Sequence, residues 1–206
     1  GSLPTVERND GPVDLDIDPP GGHIEKIVRA GVEPQSQTRI AFTGPFDYTA
    51  QNRVAIRVMA EALQLRLMER MREDLGGTYS VGVNASYQRI PEGRYTLSIQ
   101  FGSDPERAEE LRGVVFEELR GLQADGPSQE DVEKVVEAEK LSLEANLQLN
   151  PYWAVQLMYS READQDPHFL LDGTRYDNVS RESIQQDAQL YLNEEQVVIV
   201  VLLPVD

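Results

Sequence analysis

Arg72-Glu73-Asp74-Leu75-Gly76-Gly77-Thr78-Tyr79-Ser80-Val81 is the stretch on which the fold turns. Upstream, Val54, Val58, Ala62 and Leu65, with Ile56, Met59, Leu63 and Leu67, recur at helical spacing. Thr49 is placed to cap that helix, which predicts roughly six to seven turns at 3.6 residues each. Gly76-Gly77 supplies the left-handed conformation that stops it. Downstream, Tyr79, Val81, Val83, Ala85 and Tyr87 alternate with polar residues. After the turn Pro91-Glu92-Gly93, Tyr95, Leu97, Ile99 and Phe101 alternate again. The pair reads as a hairpin in a sheet with one buried face and one face that is wet or meets a partner. An arginine and a tyrosine therefore flank a tight helix-to-strand turn.

Outward from there the chain continues in the same manner. Residues 3–21 are rich in Pro, Gly and Asp and read as a linker or extended arm, with Gly1-Ser2 as a cloning scar. Asp14, Asp16 and Asp18 read as a solvated arm more simply than as a calcium loop. Strands are expected at 24–30 and 38–43. Asp104-Pro105 opens a helix expected to reach Gly121, and Gly126-Pro127-Ser128 breaks and recaps the chain into a helix over 129–149. Pro151 starts an aromatic segment to Tyr159, and 164–180 reads as a polar connection. Ser180 caps a helix to Leu192, and 196–203 is a continuous apolar run, hence a central buried strand. The order ββαββααααβ predicts an α+β two-layer sandwich: a five-stranded, mostly antiparallel sheet with helices on one face. One domain over 22–206 accounts for the whole pattern.

Composition narrows the chemistry. The chain has 206 residues and a net charge of −17. Such a surface repels phosphate backbones, which argues against nucleic acid as a partner. There is no cysteine, so disulfides and thiolate metal sites are excluded. No apolar run approaches the ~20 residues of a membrane span. The two histidines, His23 and His168, stand far apart and lack the spacing of a zinc helix. There is no Gly-x-Ser-x-Gly and no phosphate-cradling glycine loop. Arg72 and Tyr79 remain. On the residues alone, Arg72 is better explained as a cation at a helix C-terminus and Tyr79 as a strand aromatic. An arginine also holds carbonyls or carboxylates, and a tyrosine hydroxyl stabilises an oxyanion.

The run Leu67 to Val81 resembles the Arg-Glu-x-x-Gly-x-x-Tyr-Ser-Val signature of the C-terminal half of the pitrilysin/insulinase family of zinc metallopeptidases. Ala41-Phe42-Thr43-Gly44-Pro45-Phe46, Gly126-Pro127-Ser128, Pro151-Tyr152-Trp153 and the final strand closing on Pro204 are similar too. The likeness covers roughly 22–205 and is nearest the bacterial zinc-protease branch. It implies a fragment: the non-zinc-binding C-terminal domain, paired with an N-terminal half that carries His-x-x-Glu-His and a further Glu. Zinc belongs to that half, and this chain should hold no metal and be inactive alone. Arg72 would hold the substrate backbone and Tyr79 would hydrogen-bond the scissile carbonyl. The partners implied are the N-terminal half, in the same parent or in a second subunit, and a peptide substrate. The implied location is the periplasm or envelope of a bacterium. The alternative is a catalytically silent family domain acting in peptide binding or subunit assembly; an unrelated α+β domain is the third reading.

Overall fold

Why the alternating stretches become one sheet is visible in their register. The computed structural model describes residues 13, 15, 17–74, 81–162, 165–171 and 173–205. Five strands form, β1 (His23–Arg29), β2 (Ser36–Pro45), β3 (Val81–Gln88), β4 (Arg94–Ser103) and β5 (Val197–Leu203), in spatial order β1-β5-β2-β4-β3. Three pairings are antiparallel, and β1 lies parallel to β5. The sheet is thus mixed, with antiparallel pairing dominant. In β2 and β4 the register sets Phe42 opposite Leu97 and Ile40 opposite Ile99, all four fully buried.

Helices α1 (Ala50–Met68), α2 (Ala108–Asp125) and α5 (Arg181–Tyr191) lie on that face; α3 (Gln129–Asn146) packs against α1, and α4 (Asn150–Glu162) against a 3₁₀ turn at Pro167–Leu170. From α1, Ile56, Met59, Leu63 and Leu67 are fully buried; from α2 and α5, Leu111, Val115, Ile184 and Ala188 are too. The predicted caps form. Thr49 accepts from the Asn52 N–H, Ser128 from Asp131, and Ser180 makes a reciprocal capping box with Ser183. On the other face, Gln37, Arg39, Asn84, Ser86 and Gln100 are exposed, and Val198, Val200 and Leu202 half-buried.

Two expectations need correction. The helix after Asp104 does not stop at Gly121. A short 3₁₀ turn, Pro105–Arg107, leads into α2, which runs to Asp125. Gly121 lies inside α2 beside Arg66, where a Cβ would come 3.0 Å from Arg66 Nη2. The stop is Gly126, with φ +70°, a conformation L side chains rarely adopt. The connection before α5 is not simply polar either. It holds 3₁₀ turns at Pro167–Leu170 and Gly173–Tyr176, and Tyr176 is buried in the core.

Candidate functional site

The helix that opens at Thr49 does not end at Met68. It widens into a π-helical turn, Glu69–Asp74, whose Met71 is fully buried. Arg72 lies on this turn. Such widened turns are rare and concentrate at functional sites. The strand β3 begins at Val81. Tyr79, Ser80 and the predicted Gly76-Gly77 stop lie outside the described residues, as does the side chain of Arg72. The chain order still places positions 72 and 79 on the connection between α1 and the edge strand.

One side chain fixes that connection. Gln64 on α1 donates from Nε2 to the Val81 carbonyl (2.6 Å) and accepts the Val83 N–H at Oε1 (2.5 Å). A strand edge exposes a C=O at i and an N–H at i+2 on one side, and the primary amide satisfies both. The start of the sheet edge is thereby stapled to the helix that leads into Arg72.

At the other end of α1 lies a cavity of about 540 Å³, walled by α1, the end of β3, α3, α4 and the two 3₁₀ turns. Periodicity puts Arg53, Arg57 and Glu61 on one helical face. Arg57 makes a forked contact with Glu139 of α3, its Nε at 2.8 and 3.0 Å from the two carboxylate oxygens. Tyr176 donates to the same carboxylate at 3.0 Å. Burial works against the Arg57 charge, but Glu139 outweighs it and holds the guanidinium pKa above its usual value. Glu61, closer to solvent, has a raised pKa from desolvation first and from Glu139 second. Burial likewise pushes up the Tyr87 and Tyr176 hydroxyls. Arg53 donates to Gln165 at 2.8 Å and lies 5.0 Å from the Tyr48 ring centroid. Arg175 lies 5.5 Å from the Phe169 centroid and 5.0 Å from that of Tyr176.

The residue pattern had not pointed to this cavity, although a signal was present. Glu139 sits on the buried stripe Val132, Val135, Glu139, Leu143, and a carboxylate on an apolar stripe demands a partner. Zinc does not fit the described residues. Among them no three His, Cys, Asp or Glu side chains come together to hold a metal. Glu139 is committed to a fixed cation, and fixed cations occupy the helix face beside it. His23 and His168 are exposed on the surface, each beside a carboxylate, Glu25 and Asp166.

Residues 1–139 match the family model described as the peptidase M16 inactive domain. The chain belongs to that family. This M16 inactive domain is similar to the zinc protease PQQL-like protein of Arabidopsis thaliana, with 31% identity over 103 residues, 48% of this chain. It spans 11% of that relative's length. In fold it is similar to the periplasmic protease PqqL of Escherichia coli, with TM-score 0.79 and 20% identity. That match covers 97% of this chain and 23% of the other. A protease from Helicobacter pylori gives TM-score 0.81 at 14% identity, over 98% of this chain and 49% of the other. The M16 inactive domain is the non-catalytic type of domain in zinc-protease-like peptidases, which agrees with the family read from the run Leu67 to Val81.

Proposed function

We propose that this domain is the substrate-clamping side of a zinc-dependent metalloendopeptidase that hydrolyses peptides. The observation that carries it is the α1–β3 connection: Arg72 rides on a π-helical turn, and the strand after Tyr79 is stapled to the same helix by Gln64. The partner is a zinc-binding half, N-terminal in the same parent chain or carried by a second subunit. Zinc bound in that half supplies the activated water. The residues of this domain do the positioning. The Arg72 guanidinium donates to the substrate backbone and fixes its register. The Tyr79 hydroxyl donates to the scissile carbonyl oxygen and strengthens that bond as the oxygen gains charge. The open sheet face, with Arg39, Asn84 and Gln100, faces the substrate chamber. The relative PqqL of Escherichia coli is a periplasmic protease; the parent is placed likewise in the periplasm or envelope of a bacterium.

Cleavage of a quenched peptide of about 10–20 residues by the full-length parent tests this reading, wild type against Tyr79→Phe. Loss of one oxyanion donor should cost on the order of 10²–10³ in kcat, with an unchanged melting curve. Arg72→Ala should raise KM and lower kcat/KM, also without a change in melting. Full activity in Tyr79→Phe overturns the assignment. Cleavage by neither protein favours a silent domain that binds peptides or assembles subunits.

A further inference from the structure

The cavity at the N-terminal end of α1 has donors that nothing among the described residues uses. The Nε atoms of Arg53 and Arg175 are both buried and have no hydrogen-bond partner among those residues. A buried N–H left without a partner destabilises the fold. Neither guanidinium has a carboxylate partner among the described residues; one is bonded to a neutral amide and stacked on Tyr48, the other on Phe169 and Tyr176. Two guanidinium groups held on ring faces, neither with a carboxylate partner among the described residues, form a receptor for a planar anion through their terminal N–H groups.

Charge sets the sign of the ligand. The cavity lining holds four arginines, Arg53, Arg57, Arg89 and Arg175, and two carboxylates, Glu61 and Glu139. Glu139 is cancelled by Arg57, and Glu61 offsets one of the other three, so the lining calls for an anion. The planar guanidinium forks match a planar carboxylate; charge alone would also admit a phosphate, which competition separates below. This local surplus stands within a chain of net charge −17. The walls around the arginines are aromatic, with Tyr48, Tyr87 and Phe169 among them, so the group carrying the carboxylate is expected to be apolar.

We propose that this cavity binds a carboxylate of a peptide, through Arg53 and Arg175, with an apolar or aromatic residue beside it among the tyrosines. The chain's peptidase family supplies the ligand class. The site does not depend on the roles given to Arg72 and Tyr79. It lies at the other end of α1, whose 19 residues span about 28 Å.

The test is fluorescence anisotropy of labelled decapeptides with the 206-residue protein. One ends in Phe with a free carboxylate, one ends in Phe amide, and one ends in amide but has an internal Glu beside Phe. The free acid should bind at least about tenfold more tightly than the plain amide, the worth of one charge-assisted hydrogen bond. If the Glu peptide matches the acid, a side-chain carboxylate is the ligand; if it matches the amide, the chain terminus is. Either outcome supports the site. Arg53→Gln and Arg175→Gln should each weaken the acid by about tenfold or more and leave the plain amide unchanged. Should a variant fail to fold, the acid-against-amide comparison in the wild type still decides. Equal binding of acid and plain amide, or no binding of any peptide, overturns the proposal. So does full displacement by millimolar inorganic phosphate, which would mark a general anion site.

Discussion

Replacing Arg57 by methionine isolates the buried pair on which the cavity is built. Glu139 is 9% exposed and accepts from Arg57 at two oxygens and from Tyr176 at 3.0 Å. The Arg57→Met variant would leave the carboxylate one hydroxyl donor in place of a bidentate cation. Breaking a fully buried pair costs about 3–5 kcal/mol. The Arg57 side chain is 40% exposed, so water screens the site, and about 2 kcal/mol is expected. Removing both charges, with Arg57→Met and Glu139→Leu together, substitutes apolar packing and should come within about 1 kcal/mol of wild type. Glu139→Leu alone leaves a guanidinium that water can reach and should cost about 1 kcal/mol, so the coupling in a double-mutant cycle is about 2 kcal/mol. Urea denaturation followed by circular dichroism reads each free energy. For a domain of this size, a loss of about 2 kcal/mol lowers Tm by about 4–8 °C. A single mutant within about 0.5 kcal/mol of wild type, or a double mutant as unstable as the sum of the singles, would refute the argument.

Leu97→Asp should prevent folding, since a carboxylate would enter a fully buried position in the middle of the sheet; a soluble variant with a cooperative melt would remove Leu97 from the core. Gln64→Ala should cost about 1–2 kcal/mol by leaving the Val81 carbonyl and Val83 N–H without their amide partner. Hydrogen exchange at Val83 should speed up selectively, and unchanged protection there would count against the staple. Asp187 on α5 has its pKa pushed up to about 6 by burial. The native state thus holds that proton more tightly than the unfolded state does. Its stabilisation is complete below the ordinary carboxylate range and is lost as pH rises through about 6. Raising that pKa from the ordinary carboxylate range to about 6 corresponds to ~3 kcal/mol, reduced to about 1 kcal/mol for a partly exposed group. Asp187→Asn should therefore raise Tm at a pH above 7 and lose that advantage below about 4; a pH-independent difference would contradict the burial argument.

Local periodicity made α1 and the β3–β4 hairpin readable, because their buried stripes repeat at about 3.6 and 2 residues and each has a cap or turn beside it. Thr49, Ser128 and Ser180 announced their helices for the same reason: a cap is a local bond. The parallel pairing of β1 with β5 carries no such signal, since nothing in Ile24 or Val28 names a partner so far along the chain. Gly121 misled because a glycine inside a helix, packed beside Arg66, looks, in one dimension, like a glycine that ends a helix. Arg72 and Tyr79 stood out through a motif, whereas Arg53, Arg57 and Glu139 looked like ordinary surface charge. Only the approach of α3 to α1 turns them into a cluster.

The place of β5 between β1 and β2 also orders events during synthesis. β2, β3 and β4 lie within one stretch of chain and can assemble as soon as it emerges. β1, made first, has no strand neighbour among the described residues except β5. Gly22, just before it, bonds to Gln196, 174 residues away. Until that last strand arrives, β1 waits unpaired and the β2 edge stays open. A ribosome stalled before residue 197 would hold a nascent chain with an unfilled slot in its sheet, a natural substrate for chaperones that shield strand edges.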